Sequence, residues 1–282
     1  MRIARIGGPA GPVFAVQGGD ESWVDIGSLG IEAATTPELV ETADALAALD
    51  VQTLGEGVVD PSFLSPIVAP GKLMAIGLNY SDHIRETNSK APLNPILFMK
   101  ANTSLVGPTD DIVVDPELTQ MADYETELTV IIGRRSKGVS KAAALGAIFG
   151  YTVANDVTAR DCMKADGQLV RSKSFDTYCP NGPWITTADS VPEPQALAIK
   201  TLVNGEVRQD SSTSEMLFPI DHLIHFLARG MTLEPGDVLL TGTPHGVGFV
   251  MDPPRFLQAG DVVECEVEGL GQLRNRVVGP GH

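Results

Sequence analysis

Three acidic side chains carry the clearest hint of chemistry in this sequence. They are Glu125 and Glu127 in DYETELTVIIG, and Asp156 at the end of the strand-like run in GYTVANDVTARD. In a β-strand, residues i and i+2 point to one face. Asp123, Glu125 and Glu127 are therefore expected on one face, with Tyr124, Thr126, Leu128, Val130 and Ile132 on the other. Carboxylates crowded at the mouth of a buried sheet repel one another, and burial makes charging them harder still. A hard divalent cation removes both penalties, because it takes carboxylate oxygens. Two glutamates, an aspartate and waters suit Mg²⁺ or Mn²⁺. A solvated acidic edge strand has the same spacing, and Glu-x-Glu alone does not separate the two.

A proton-transfer group is available in NYSDHIRET. On a helical turn His83 and Glu86 are neighbours, so the carboxylate can orient the imidazole and hold it as a general base near neutral pH. His222 and His225 share the same spacing on an expected helix over 219–229 and are read as structural. RSKSFDTYCPNGPW has the mix of a binding loop, and its Lys173 is placed to hold a substrate carboxylate or to stabilise a developing enolate. TGTPHGVG, residues 241–248, lacks both the Lys-Ser/Thr ending of a phosphate loop and GxGxxG spacing. Its N–H groups and Thr243 could cradle a carboxylate, or it could be a tight turn.

The elements that must position these groups are mostly strands. Runs at 1–6, 13–17 and 23–26 read as short strands, and 36–50 reads as a helix with a Thr cap and Pro in its first turn. These form an expected small unit over residues 1–70, followed by a larger one over 71–282. In the larger unit, LMAIGLNY and the runs at 96–99, 112–114, 125–132, 150–155, 185–187, 198–203, 237–241 and 262–267 read as strands, with helices at 141–149 and 219–229. No βαβα alternation is present, so a β-rich α+β fold with a rolled or barrel-like sheet is expected.

Composition narrows the function classes. With a formal net charge of −16 and no basic stripe, the chain has no footprint for nucleic acid. If the substrate is an acid, the site itself must supply positive charge. Three cysteines without a CxxC pair argue against a disulfide framework or zinc knuckle and fit a reducing cytoplasm. No run reaches the ~18 apolar residues of a membrane span, and the first residues do not read as a signal peptide.

Taken in order, GLNYSDHIRE, PILFMK, DYETELTVIIG, GYTVANDVTARD, KSFDTYCPNGPW and TGTPHGVG resemble the fumarylacetoacetate hydrolase family, over roughly three quarters of the chain from Lys72 onward. The resemblance implies a mixed β-sandwich roll, a homodimer, and bound Mg²⁺ or Mn²⁺, in some members Ca²⁺. It implies Glu125, Glu127 and Asp156 as metal ligands, a His83–Glu86 dyad on a lid, and Lys173 as a catalytic lysine. Tyr80, Lys100, Arg160, Lys173 and Thr243 are the implied substrate-binding set, and Asp123 a supporting acid.

The implied activity is metal-dependent hydrolysis of the C–C bond of an acylpyruvate-like 2,4-dioxo acid through a stabilised enolate. Alternatives of the same class are decarboxylation of oxaloacetate, isomerisation and decarboxylation in aromatic catabolism, and hydrolysis of 2,4-dioxo-3-deoxy sugar acids. A non-catalytic scaffold is the alternative from another class, and the intact site residues argue against it. The chain departs from the family wording at His245, where a second proline is usual, and at Leu169 and Ser172. All three are expected near the pocket region that reads the substrate tail.

Overall fold

A computed structural model describes residues 1–281. Its largest sheet runs, in spatial order, through Trp23–Asp25, Gly11–Gln17, Arg2–Gly8, Cys179–Thr187, Ile148–Asn155, Thr126–Ile132, Val238–Leu240, Leu73–Gly77 and Ile96–Met99. A second sheet contains Glu206–Ser212, Ala198–Val203, Val262–Val267, Gly271–Val278 and Ile112–Val113. Alternate residues of the two sheets interdigitate: Leu128, Val130, Tyr151 and Val153 of the first share one core with Ile199, Val263, Cys265 and Leu273 of the second. The architecture is the expected strand-rich α+β sandwich.

Strand Thr126–Ile132 is buried at every residue and lies between Ile148–Asn155 and Val238–Leu240. It is a central strand, so the acidic-edge alternative does not apply. Asp123, however, does not share its strand. It sits in the two-residue strand Ala122–Asp123, paired with Thr158–Ala159, and the chain breaks from β-structure at Tyr124 and Glu125.

The first strands extend the large sheet: Ile3 pairs with Ile185 and Ala4 with Trp184. Ile3, Phe14, Leu39 and Val40 pack with Ile131, Phe149 and Ile185 in one apolar cluster. The helix expected over 36–50 is two short helices, Thr36–Glu41 and Ala43–Ala47. Thr35 and Glu38 form the capping box at its start. The break falls at Thr42, whose hydroxyl donates to Leu39 O at 2.7 Å and competes with the helix ladder.

Helix Ile220–Gly230 buries Ile220, Leu223, Ile224, Leu227 and Ala228, the i, i+3, i+4, i+7, i+8 stripe of a helix covering a sheet. The helix expected over 141–149 is shorter. Lys141–Ala144 is helical, Leu145–Ala147 forms one 3₁₀ turn, and the chain then enters Ile148–Asn155, where pairing with Ile132 captures Ile148.

Candidate active site

The acidic cluster follows from the register of two strands. Glu127 pairs opposite Ala154, and residues opposite one another in an antiparallel pair face the same side. Two residues before Glu127 comes Glu125; two after Ala154 comes Asp156. Asp156 N–H donates to Glu125 O at 2.8 Å, which continues the ladder past the strand ends. All three carboxylates therefore reach one point above the small Ala154 side chain. They are buried, and one oxygen from each lies within 4.8 Å of the others.

Three buried cations answer this charge. Lys173 Nζ contacts Glu125 Oε2 at 2.7 Å, Asp156 Oδ2 at 2.6 Å and Thr158 Oγ1 at 2.8 Å. Arg160 bridges Asp123 Oδ2, at 2.9 Å, and Glu125 Oε1, at 2.6 Å. Lys100 Nζ reaches Asp156 Oδ1 at 2.6 Å, with the carbonyls of Lys173 and Tyr178 completing its shell. With Asp123 included, four buried carboxyls face three buried cations. Among the described residues, Glu127 is the one of the four without a Lys or Arg partner.

The titration directions follow. Burial, together with the Asp156 and Glu125 charges, pushes the Glu127 carboxyl well above its usual range. Burial also works against the charge on Glu125, but Lys173 and Arg160 outweigh it and hold that carboxyl low. For Lys173, burial disfavours the ammonium, while Asp156 and Glu125 overcome this and raise it. An all-oxygen, buried donor set with one uncompensated carboxyl fits a hard divalent cation. Glu125, Glu127 and Asp156 would hold it.

The His–Glu pair lies on helix Ser81–Glu86, with His83 Nδ1 2.6 Å from Glu86 Oε1. A carboxylate only accepts, so Nδ1 is the donor to Glu86, and in the neutral ring Nε2 is then the atom with the lone pair. The Gly-rich loop that follows Val238–Leu240 serves the protein's own acids rather than forming a plain turn. Gly242 N–H donates to Glu127 Oε2 at 2.6 Å, Gly246 N–H to Glu86 Oε2 at 2.8 Å, and Gly248 N–H to Asp123 Oδ1 at 2.7 Å. The first two glycines have φ of +101° and +98°, and a Cβ at Gly246 or Gly248 would meet backbone oxygen at 2.0 Å. Side chains are excluded there.

One cavity of about 420 Å³ is lined by His83, Glu125, Glu127, Asp156, Arg160, Lys173 and Thr243. Thr243 donates to Thr126 O at 2.9 Å and accepts from Gln209 Nε2 at 2.8 Å. Tyr80 and Lys100, expected to touch substrate, do not line this cavity. Tyr80 is fully buried in the core, and the Lys100 ammonium is sealed beneath Asp156. Leu169 lines the cavity, but Ser172 turns its hydroxyl to Leu169 O at 2.9 Å. His245 lies outside the lining, 43% exposed, with Nε2 3.1 Å from Asp210 O. His222 stacks between Phe218 and Phe226, while His225 Nδ1 meets Val139 O at 2.8 Å.

Several supporting residues escaped the sequence reading. Gln209, fully buried, accepts from Thr126 N–H and donates to Thr243 and Pro244. Asn155 accepts from Glu125 N–H at 3.0 Å. Phe249 lies under the Arg160 guanidinium at 4.4 Å and Phe98 under Lys173 Nζ at 5.2 Å. Asn155, next to Asp156 in GYTVANDVTARD, and Phe98, in PILFMK, lie in motifs with a local signal, while Gln209 and Phe249 do not.

The family pattern described as Fumarylacetoacetate (FAA) hydrolase C-terminal matches residues 72–278. The chain is 45% identical to the oxaloacetate tautomerase Fahd2a, mitochondrial, of Rattus norvegicus, over 77% of this chain and 69% of that one. With the Homo sapiens oxaloacetate tautomerase FAHD2A, mitochondrial, identity is 46% over the same shares. Among solved structures, a fumarylacetoacetate hydrolase from psychrophilic Exiguobacterium antarcticum superposes with a TM-score of 0.90 at 37% identity, covering 99% of each chain. A 2-hydroxyhepta-2,4-diene-1,7-dioate isomerase from Mycobacterium marinum gives 0.77 at 34% identity, covering 100% of each. With residues 72–278 matched to its pattern and relatives at 45–46% identity, the chain belongs to the fumarylacetoacetate hydrolase family.

Proposed function

We propose that the protein moves a proton at the carbon beside the keto group of a small 2-oxo acid, interconverting keto and enol forms with the help of a divalent cation. The observation that carries this reading is that His83, hydrogen-bonded through Nδ1 to Glu86, lines the same cavity as three convergent carboxylates. Relatives named as oxaloacetate tautomerases and a solved structure titled as an isomerase support it.

Mg²⁺ or Mn²⁺ on Glu125, Glu127 and Asp156 would supply Lewis-acid polarisation of a 2-oxo acid's carbonyl. His83 Nε2 takes the proton from the carbon next to that carbonyl. The C–H pair becomes the new C=C bond, the C=O π pair moves to oxygen, and the proton is delivered to that oxygen. Glu86 holds the imidazole in the required tautomer and steadies the imidazolium while it exists. Lys173 is fixed before the reaction by Glu125, Asp156 and Thr158. Its charge favours the oxyanion without further reorganisation.

Carbon–carbon cleavage of an acylpyruvate-like acid is the second reading. It is favoured by a cavity of about 420 Å³, many times the ~30 Å³ that one water takes in the liquid, which leaves room beyond a four-carbon acid. One assay separates the two. With Mg²⁺ or Mn²⁺, enol absorbance is followed on oxaloacetate and on acylpyruvates while released pyruvate is measured. Faster keto–enol exchange without pyruvate supports tautomerisation, stoichiometric pyruvate from acylpyruvate supports cleavage, and no effect on any of these acids rejects both.

A further inference from the structure

The charged and apolar walls of the cavity are segregated. Every cation in its lining belongs to the carboxylate end. Lys173 is held by Glu125 and Asp156, and Arg160 by Asp123 and Glu125. From there an apolar strip leads outward. Phe98 starts it, 6% exposed with its ring 5.2 Å from Lys173 Nζ. Ile96, two residues earlier on the same strand and therefore on the same face, ends it at 37% exposure. Gly77 pairs opposite Ile96, and a Cβ there would sit 3.8 Å from both Ile96 Cγ2 and Leu169 Cδ1. Gly77, Ile96 and Leu169 thus form one continuous patch, and Leu78 and Met163 complete the lining nearby. Thr87 and Ser89 are uncharged. Arg171, two residues from Leu169, is tied to Asp166 at 2.6 and 2.7 Å.

We infer that the preferred substrate is a 2-oxo acid with an uncharged, apolar tail that lies along the Phe98–Ile96 strip against Leu169. This deepens the reading above and rests on it for the acid end of the molecule. A second carboxylate on the tail would lie on apolar surface where, among the described residues, no Lys or Arg other than Lys173 and Arg160 lines the cavity, which penalises its binding. One i to i+2 step of a strand spans about 7 Å, about the reach of a five-carbon chain. Gly77 keeps that track open.

The test compares acetyl-, butanoyl- and hexanoylpyruvate with oxaloacetate and with succinylpyruvate, which carries a carboxylate on its tail. Turnover is measured with Mn²⁺, and binding separately by the shift in Tm. We expect kcat/KM to rise about fourfold per added methylene, with succinylpyruvate about tenfold or more below an uncharged tail of similar length. Leu169→Arg should reverse the order of hexanoyl- and succinylpyruvate. Ile96→Arg, at a more exposed position that tolerates charge, should narrow the gap and guards against a folding defect at Leu169. A flat chain-length series, or oxaloacetate as best substrate, overturns the inference while leaving the proton-transfer reading intact. No turnover of any acid, with hexanoylpyruvate still giving the larger Tm shift, rejects that reading and retains the tail strip. Equal Tm shifts for charged and uncharged tails overturn the strip.

Discussion

The carboxylate cluster and the imidazole of the His83–Glu86 pair line one cavity but are held in opposite ways. The cluster grows from the middle of the large sheet, where Thr126–Ile132 and Ile148–Asn155 are buried at every residue. Its geometry is a strand register, and shifting it by one residue would turn every side chain to the other face. The dyad sits on a six-residue helix, Ser81–Glu86, a length that is not stable by itself in water. Individual tethers hold it. Asp82 Oδ1 accepts from His83 N–H at 2.7 Å, Ser211 Oγ donates to Asp82 Oδ2 at 2.6 Å, and Gly246 N–H donates to Glu86. Arg85 meets Glu215 at 3.1 Å on the surface. On the proposed reading, cation holding would be built into the sheet, and proton transfer would be borne by a part whose position rests on a few hydrogen bonds.

Mutations should separate the two regions. Glu127→Ala is expected to abolish metal binding and turnover together, read by calorimetric titration with Mn²⁺ and by the enol assay. Full activity in chelator-treated protein would break the comparison at its base. His83→Ala should lower turnover by about 10²–10⁴-fold with Mn²⁺ affinity nearly unchanged. Parallel loss of both would mean that the two regions form one mechanical unit.

Proton linkage is the next largest effect. A carboxyl whose folded pKa is raised favours folding below its unfolded value, and that contribution is lost as pH rises through the folded value. Glu127 is raised by burial and then by Asp156 and Glu125. Metal-free protein should therefore lose Tm as pH climbs through that window. Because the incoming cation displaces the Glu127 proton, Mn²⁺ affinity should rise with pH and binding should release protons. Calorimetry in buffers of different ionisation enthalpy measures that release, and none at any pH would contradict the assignment.

Ser211→Ala should have the smallest effect. Loss of one hydrogen bond to a charged group is worth about 1.5–3 kcal/mol at most and falls here on a part-buried tether. A kcat reduced about tenfold or less, with unchanged Mn²⁺ affinity, would sharpen the contrast. A matching loss of Mn²⁺ affinity would blur it.

Much of the molecule was legible because it depends on local periodicity. The stripe in Ile220–Gly230, the strand alternation in Thr126–Ile132 and the i, i+3 spacing of His83 and Glu86 each follow from one element's geometry. Glu206–Ser212 and Gly271–Val278 escaped because an inward position of each is polar, Gln209 and Asn275, which masks the alternation. Ile148 and Phe149 read as a continuation of the helix from 141, whereas the strand already begins at Ile148, which pairs with Ile132. Tyr80 and Lys100 sit in motifs that adjoin the site, yet burial in one case and ion pairing in the other keep them from the cavity.

The sequence by itself determined the acidic cluster's residue types, the dyad and the strand-rich class, since side-chain chemistry and periodicity need no partner. Tertiary structure alone decided which strand stands beside which, and hence that Asp156 lies next to Glu125 while Glu127, among the described residues, has no Lys or Arg partner. It also decided that loop residues Gly242, Gly246 and Gly248 support three different acids. The three loop contacts join positions more than a hundred residues apart in the chain, and no local pattern can encode a contact whose two halves are read separately.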